Sequence, residues 1–566
     1  MKDLQGTYRN GQVFLTWNET EAPAGTTFNV YLANRPFTRE TVRPEYRIAH
    51  RIEPHSARDW WRDPHSFVSK NADNFKQFMG EYSDNPPAPV GFVIENGSSP
   101  LNPAGGLFVH TVTPESSGKC YFAVTYTTDQ ENSTIIPGLN ATETPLLTEV
   151  APAQPIYIGD RTPLTRTDVA GKSIEFILKG RGSGYTVAGD HPQEVNYLFF
   201  GNIKQGWREG LPFKFEAVLE AEILKIVPCD RQWTGGRPVL ESADQRDHCP
   251  AINTWYYGYN QNIAVSNLND PKIIPNYTEE QILGILDWAQ NSLGANPNRT
   301  YLTGTSMGGS GCISLALHYP ERFAFVYARV PAVAYLPQMN LNRLECFCGP
   351  LDNSATTHLG MPFIEHMNAI VQVGKTTANL PYIVMLSGRQ DQSIAWGNNP
   401  PFFQTMNHTR QGITAFWSEE GHSDYDINFI EKDFAPPRER FSLDRSYLVF
   451  TNCLANQNPG RGDPSDGDLS GWINRGFDWE LILDTPEEYA ATIWVNYEGI
   501  KYPISFDLTP RRVQNFRIEK GKAVAVFIDR IQISTVIPDN NGLVTVRNVQ
   551  ICNPEGIQFQ LKHNVD

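Results

Sequence analysis

Apolar and polar residues alternate along the first 127 residues of the chain. The alternation is clearest in the segments 11–17 (GQVFLTW), 26–33, 106–112 and 119–127, with Gly, Pro and Asn between them. Period-two segments separated by turn-forming residues are typical of strands in a β-sandwich. We therefore predict a β-sandwich over residues 1–150, interrupted by a long insertion at about 39–95.

The pattern changes after a proline-bearing stretch at 148–163. Short, nearly continuous apolar runs at 195–202 and 221–230 are typical of buried parallel strands. Residues 277–294 have helical periodicity, with Thr278 as a candidate cap. Strands that alternate with helices predict an α/β domain over 151–440, a mostly parallel sheet with helices on both faces.

From residue 441 onward the chain returns to strand patterns, and turn signals such as Asn541-Gly542 separate them. This predicts a second β-sandwich over 441–566. The fold class is therefore multidomain, with a central α/β domain between two β-sandwich domains.

Composition excludes two classes of partner. The 566 residues carry a formal net charge of -15 and contain no run of Lys and Arg, so we expect no nucleic-acid partner. No segment approaches the roughly 18 apolar residues that a membrane helix needs, so we expect no membrane partner. The acidic charge and the flanking β domains favour a secreted or periplasmic protein whose signal peptide is not part of this sequence.

Eight cysteines are compatible with several disulfides. The spacing makes Cys229 with Cys249 and Cys453 with Cys552 plausible pairs within domains, although spacing alone does not fix connectivity.

We predict no metal site. Cys346 and Cys348 are one residue closer together than the usual zinc knuckle requires. The acidic segment RGDPSDGD (461–468) places Asp463, Asp466 and Asp468 in one loop, yet it lacks the complete calcium-binding pattern. A solvated turn is the favoured interpretation of that loop.

The segment YLTGTSMGGSGCISLAL contains the strongest chemical signal. Ser306 lies between Gly304 and Gly308, after a predicted strand at 299–303 and before an apolar helix. A nucleophile elbow needs this context, because the sharp turn leaves no room for side chains beside the serine. We predict that Ser306 is a nucleophile.

A serine nucleophile needs a histidine base and an acid that orients it. Asp391 follows the apolar strand of PYIVMLSGRQDQSIAW, and His422 follows the next strand, in ITAFWSEEGHSDYD. Both would reach the carboxyl edge of the sheet, in the chain order Ser, Asp, His. Glu420 and Asp424 are alternatives for the acid.

Two other histidines follow Ser306 in the chain, His318 and His408. His318 lies in the predicted elbow helix, and His408 lies near a helix end. We therefore favour His422 as the base.

The oxyanion of the tetrahedral intermediate needs backbone donors. We predict the N–H of Met307 as the first donor and the N–H of Asn202 or Ile203 as the second, with the segment TWYYGYN (254–260) as the alternative source of the second. Aromatic residues near these segments are candidates for substrate binding: Trp255, Tyr256 and Trp396.

With these motifs in register, residues 190–435 resemble α/β-hydrolases of the esterase group that includes feruloyl and acetylxylan esterases and polyhydroxybutyrate depolymerases. The resemblance implies a cofactor-free Ser-His-Asp mechanism on carboxylic esters, with polysaccharide- or polyester-linked esters as expected substrates. The first 150 residues, through Trp17 and the strand YFAVTY, resemble a fibronectin type III module.

Two alternatives come from other classes. The elbow is also similar to that of prolyl oligopeptidase-like peptidases, but the first 150 residues are too few for their β-propeller at about 40 residues per blade. A non-catalytic carbohydrate-binding or adhesion protein would have no reason to keep both an acid and a base at the strand ends.

Overall fold

A computed structural model of the chain describes residues 2–19, 26–38, 42–52, 54–58, 90–95, 97–128, 130–132, 134–158, 162–180, 195–200, 212–230, 232–233, 251–261, 273–335, 348, 355–422 and 435–563. The chain forms two compact units. The first comprises Met1–Gly171, Gly182–Ala295 and Asn342–Gly360, and the second Lys172–Arg181, Asn296–Leu341 and Met361–Asp566. The chain passes between them several times, and the predicted boundaries near 150 and 440 stay predictions.

The first unit begins with two antiparallel sheets. One contains Lys2–Arg9, Gln12–Asn18 and Gly105–Thr111; the other contains Arg47–Ile52, Thr27–Ala33, Gly118–Thr127, Glu131–Asn132 and Leu146–Thr148. Buried residues from both sheets, among them Leu15, Val30 and Phe122, form one hydrophobic cluster. This is a sandwich, as the alternation predicts. Its fibronectin-like identity stays a prediction, and Trp60 and Trp61 of the insertion lie outside the described residues.

Glu19 is a buried acid in this sandwich. Its side chain is 1% exposed, and its Oε2 accepts the N–H of His55 at 2.7 Å. Burial raises the pKa of Glu19 from 4.5 to about 7, although the His55 hydrogen bond opposes the rise. The folded state therefore binds this proton more tightly than the unfolded chain, and stability falls as the pH rises through this interval.

We expect Glu19→Gln to raise the melting temperature of the sandwich at pH 8 and to change it little at pH 4. The amide is isosteric and carries no charge, so it removes a penalty that exists only where the buried carboxylate must ionise. Differential scanning calorimetry at both pH values measures the effect. An equal change at pH 4 and pH 8 would contradict it.

The first unit continues with four antiparallel strands in the order Ile223–Pro228, Pro212–Glu220, Val195–Phe200 and Ile156–Ile158. Val195–Phe200 pairs antiparallel with both of its neighbours, so the prediction of a parallel strand at 195–202 is wrong. At 221–230, the described pairing of Ile223–Pro228 with Pro212–Glu220 is antiparallel. Pro212–Glu220 and Ile223–Pro228 form a hairpin, because a two-residue turn with Ala221 in the left-handed region (φ 41°) joins them.

The remaining elements of the first unit are short except for one helix. Among the described residues they include the strand pairs Gln232–Trp233 with Ala251–Ile252 and Ile273–Ile274 with Thr356–Thr357, and the helices Arg166–Val169 and Tyr277–Asn291. The last confirms the predicted helix, and its apolar residues Ile282, Ile285, Leu286 and Ala289 are buried. Its N-cap is Asn276, so the prediction of Thr278 as the cap is wrong. Thr278 lies inside the helix, and its hydroxyl is hydrogen-bonded to that of Thr254 at 2.6 Å.

The second unit contains the parallel strands that the α/β pattern predicts. They lie in the order Ser173–Leu178, Thr300–Thr305, Phe325–Arg329, Tyr382–Gly388 and Ile413–Ser418, and Gly471–Ile473 adds an antiparallel sixth at the edge. We call Thr300–Thr305 the elbow strand. The α-helices in the described part of this unit are Met307–His318, which we call the elbow helix, and Phe363–His366, Ala369–Lys375 and Asn399–His408. No helix within the described ranges is long and apolar enough to cross a membrane.

The end of the chain forms two further antiparallel sheets in the second unit. One is Tyr447–Thr451, Ile504–Arg511 and Val546–Ile551; the other is Phe477–Asp484, Glu488–Val495, Ile557–His563, Val524–Ile528 and Ile531–Val536. Phe450 and Phe477 stack between them at 4.2 Å. The predicted Cys453–Cys552 disulfide is wrong, since both residues are free thiols: Cys453 is buried and Cys552 is exposed. Cys249 lies outside the described residues, so the Cys229–Cys249 pair stays a prediction.

Candidate active site

Ser306 occupies the sharp turn between the elbow strand and the elbow helix. Its backbone has φ 59° and ψ −123°, a left-handed conformation that L-residues rarely adopt. The turn is fixed on both sides of Ser306: its N–H donates to Arg329 O at 2.8 Å, and its carbonyl accepts the N–H of Ser310 at 2.9 Å. A strained serine in such a turn presents its hydroxyl outward at a fixed position.

The glycines around Ser306 are required by close packing. A Cβ on Gly304 would overlap Gly308 O, and a Cβ on Gly308 would overlap Leu178 O. A Cβ on Gly309 would lie 2.8 Å from Arg329 O. The glycine pattern that predicted the elbow is therefore explained by backbone approaching backbone on three sides.

His422 connects Ser306 to Asp391. Its Nε2 lies 2.7 Å from Ser306 Oγ, and its Nδ1 lies 2.6 Å from Asp391 Oδ2. An ionised carboxylate only accepts hydrogen bonds, so Nδ1 carries a proton and Nε2 is left to accept one from the serine hydroxyl. The structure thus brings together the three residues that the sequence singles out.

The Asp391 carboxylate is held in place by its own loop. Its side chain is 2% exposed, and Oδ1 accepts the N–H groups of Ser393 and Ile394 at 2.7 and 2.9 Å. The loops after the strands Tyr382–Gly388 and Ile413–Ser418 are also hydrogen-bonded to each other, since Gln390 N–H donates to Glu420 O at 3.2 Å. His422 remains 30% exposed and therefore open to solvent.

None of the alternatives for the acid and the base that the structure describes takes the place of Asp391 or His422. Glu420 contributes its backbone to this loop contact, and Asp424 lies outside the described residues. His318 stacks on His366, with ring centroids 4.0 Å apart. His408 ends the helix Asn399–His408.

Met307 begins the elbow helix, so its N–H has no acceptor within the helix, and the partial positive charge of the helix end surrounds it. The strand beside the elbow strand is Ser173–Leu178, and a Cβ on Gly180, just after it, would lie 3.6 Å from Ser306 Cβ. The loop next to the serine is thus Lys179–Gly180. Asn202 and Ile203, the predicted second donors, lie outside the described residues.

A family model described as "Putative esterase" matches residues 238–429 of the chain, a range that includes Ser306, Asp391 and His422. Residues 238–429 thus match an esterase family of the α/β-hydrolase superfamily, and the chain is a carboxylic ester hydrolase. This confirms the family and the enzyme class that the elbow and the strand-end residues predict. No curated protein matches the sequence.

Solved structures of hydrolases are similar to parts of this esterase. S-formylglutathione hydrolase from Agrobacterium tumefaciens is 17% identical, with a TM-score of 0.30 over 57% of this chain and 90% of that one. A ferulic acid esterase is 13% identical, with a TM-score of 0.27 over 45% and 79%. S-formylglutathione hydrolase (FrmB) from Staphylococcus aureus is 14% identical, with a TM-score of 0.25 over 47% and 78%.

Trp255 and Tyr256, two predicted substrate-binding residues of the esterase, lie in its first unit. Both are buried, and both have left-handed backbones, with φ 54° and 61°. The buried Asp230 carboxylate accepts the N–H of Thr254 at 3.0 Å and the hydroxyl of the same residue. Burial raises the pKa of Asp230 to about 7, and hydrogen bonds from Thr254 and the following backbone oppose the rise.

Trp396, the third predicted substrate-binding residue, is 1% exposed. Its ring packs against Phe403 and Trp417, with centroids 6.2 and 5.9 Å away, and the Arg389 guanidinium lies 5.2 Å from it. This burial favours a role in supporting the loop 389–397, which we call the Asp391 loop, over contact with substrate.

The acidic loop at 461–468 uses its carboxylates to bond its own backbone. Asp463 Oδ1 accepts the N–H of Ser465 at 2.8 Å, and Asp466 Oδ2 accepts that of Arg461 at 3.1 Å. Asp468 Oδ2 accepts the N–H of Asn458 at 2.7 Å. In the described part of the esterase, no cluster of three or more His, Cys, Asp or Glu is arranged to hold a metal ion.

Proposed function

We propose that Ser306, His422 and Asp391 are the nucleophile, the general base and the orienting acid of this esterase. The observation that carries the proposal is the hydrogen-bonded chain from Ser306 Oγ through His422 to Asp391, with donor–acceptor distances of 2.7 and 2.6 Å. These lie within the range in which a proton passes between heavy atoms. The strained elbow supports it, because it holds the hydroxyl in place before substrate binds.

In this mechanism Ser306 Oγ attacks the ester carbonyl carbon while His422 Nε2 takes the hydroxyl proton. Asp391 stabilises the imidazolium through the Nδ1–H bond. Collapse of the tetrahedral intermediate breaks the bond to the alcohol, which leaves with the proton from His422. Water then attacks the acyl-enzyme by the same route and regenerates Ser306.

The negative oxygen of each tetrahedral intermediate needs donors in place before it forms. We assign the Met307 N–H as one donor, because it opens a helix with no internal acceptor. We assign the second to a backbone N–H of the loop after Ser173–Leu178, because Gly180 lies beside Ser306. Asn202 and Ile203 lie outside the described residues and stay the alternative prediction.

For the substrate class we propose esters linked to a polymer, either acyl groups on a polysaccharide or a polyester. The support is the resemblance of residues 190–435 to feruloyl, acetylxylan and polyester-cleaving esterases. The strand-rich segments on both sides of the esterase region would then bind the polymer or shape the cleft. We also propose that the protein is exported from the cytoplasm, because such polymers occur outside it.

Labelling with a fluorophosphonate and hydrolysis of a substrate panel test the proposal together. We expect the label on Ser306, mapped by mass spectrometry, and inhibition in proportion to labelling. The panel contains p-nitrophenyl acetate and butyrate, methyl ferulate, acetylated xylan, polyhydroxybutyrate and a prolyl-peptide amide. Cleavage of the amide in preference to every ester would favour the peptidase alternative, and a label on another serine would refute the assignment of Ser306.

A further inference from the structure

The loop that carries Asp391 is held by a segment far along the chain. Arg389, two residues before Asp391, is only 2% exposed, yet its guanidinium is charged. A buried guanidinium is costly unless its N–H groups find acceptors. The acceptors in this case are all main-chain carbonyls of residues 463–468.

The contacts use all three guanidinium nitrogens of Arg389. Nη1 donates to Asp468 O at 2.7 Å, and Nε donates to Pro464 O at 3.0 Å. Nη2 donates to Pro464 O at 2.5 Å, to Asp466 O at 2.6 Å and to Asp463 O at 3.3 Å. The planar fork of arginine fits such a ring of carbonyls, whereas a lysine ammonium is a single point of charge.

The same segment reaches the other parts of the site. Asp468 O also accepts the Trp417 indole N–H at 2.8 Å, and Trp417 belongs to the strand that precedes His422. At the far end of the Asp391 loop the backbone of Gly462 lies against that of Gly397, because a Cβ on Gly462 would lie 2.7 Å from Gly397 O. Residues 458–468 therefore contact both ends of the Asp391 loop and the neighbouring strand.

Segment 458–468 is held together by hydrogen bonds and close backbone contacts within itself. Besides the three carboxylate bonds described above, Asp468 N–H donates to Asn458 O at 2.7 Å. Gly467 has φ 83°, and a Cβ there would overlap Gly460 N and lie 2.6 Å from Asn458 O. A ring of carbonyls that is fixed in this way orders the guanidinium without reorganising, and so fixes the backbone from which Asp391 projects.

We propose that Arg389 is a positioning residue for the triad and that segment 458–468 sets the position of Asp391 through it. The inference rests on the proposed function of Asp391. It assigns part of the catalytic geometry to a segment that lies beyond the esterase match at 238–429. A displacement of about 1 Å at a catalytic group costs on the order of 100-fold in rate, so a loose segment would be costly.

The first experiment changes segment 458–468 without touching the triad or Arg389. Gly467→Ala introduces a Cβ into the backbone contact with Asn458 and Gly460. Gly521→Ala is the matched control, because Gly521 has a similar φ of 79° but open space around its Cβ position. Both variants carry the same backbone strain, and only Gly467→Ala displaces the ring of carbonyls.

We expect Gly467→Ala to lower kcat by about 10- to 100-fold with little change in KM, and Gly521→Ala to leave both near wild type. Rates are expressed per active site, counted by fluorophosphonate titration, so that a fall in the folded fraction does not lower kcat. Proton NMR supplies a second readout. The downfield signal of the His422 Nδ1–H should weaken or move in Gly467→Ala and persist in Gly521→Ala.

Arg389→Lys should behave like Gly467→Ala, because the ammonium keeps the charge but cannot serve all four carbonyls. Unchanged kcat per active site and an unchanged NMR signal in Gly467→Ala would overturn the inference, even if its melting temperature falls. A different result would show that the proposed function itself is wrong, namely turnover that survives Ser306→Ala in the otherwise wild-type chain.

Discussion

Ser306→Ala will lower kcat by about 10³- to 10⁶-fold and abolish fluorophosphonate labelling, while KM for soluble esters changes little. The substitution removes Ser306 Oγ, the only protein atom that forms a bond to the substrate in the proposed mechanism. His422, whose Nε2 lies 2.7 Å from Ser306 Oγ in the wild type, then has no serine proton to accept. The oxyanion donors remain, so a low residual rate is expected. Steady-state kinetics on p-nitrophenyl butyrate measures the loss.

Ser314→Ala is the control for this variant. Ser314 lies in the same elbow helix and is 8% exposed, but it has no part in the proposed chemistry. Alanine favours helices, so this variant should fold and turn over as the wild type does. Wild-type turnover in Ser306→Ala would refute the nucleophile assignment, and equal losses in the two variants would indicate damage to the elbow rather than to the chemistry.

Asp391→Asn will lower kcat by about 10³- to 10⁴-fold. An amide can still accept the N–H groups of Ser393 and Ile394 through its oxygen, but it then presents an NH₂ group toward His422 Nδ1. That group favours the opposite tautomer, with the proton on Nε2, where the serine proton must be received. The variant should keep its melting temperature while losing turnover, and calorimetry beside steady-state kinetics separates the two effects.

Asp484→Asn is the matched control for Asp391→Asn. The Asp484 carboxylate also holds a loop, accepting the N–H groups of Gln514, Asn515 and Phe516 at 2.8 to 3.0 Å. It has no histidine partner among the described contacts. Asp484→Asn should therefore cost stability alone, and a similar loss of kcat in both variants would contradict the role assigned to Asp391.

The catalytic constellation was predictable because its chemistry imposes local rules. A serine on a strained turn needs glycines at fixed offsets, and both the acid and the base must follow strands of the same sheet. Ser306, Asp391 and His422 could therefore be selected from motif and chain order. The helix Tyr277–Asn291 was predictable for a similar reason, since its hydrophobic period is local, although the predicted Thr278 cap was wrong.

Strand neighbours were not predictable in the same way. The elbow strand pairs with Ser173–Leu178, more than 120 residues earlier in the chain, and no local pattern records that pairing. The second oxyanion donor was therefore not fixed by the sequence, and Asn202 or Ile203 stays a prediction because both lie outside the described residues. The hairpin turn at Ala221 was missed because it lacks the Asn-Gly type of signal that marks such turns.

The role proposed for Arg389 could not be predicted from the sequence either. Its acceptors are main-chain carbonyls, which every residue carries, so the segment 463–468 shows no side-chain motif for binding a guanidinium. The acidic residues there were interpreted as a solvated turn, and the pattern did not indicate that they bond their own backbone. The Cys453–Cys552 pair failed for a related reason, because sequence spacing does not tell whether two Cβ atoms approach.

The antiparallel strand Gly471–Ile473 has a consequence for the solution behaviour of shortened proteins. It occupies the hydrogen-bonding edge of Ile413–Ser418, a strand whose residues are mostly buried. A protein cut after the esterase match, at residue 429, would expose that edge as a row of unpaired N–H and C=O groups beside apolar side chains. We expect such a fragment to self-associate through strand addition. By covering this edge, the strand Gly471–Ile473 protects the protein from edge-to-edge aggregation.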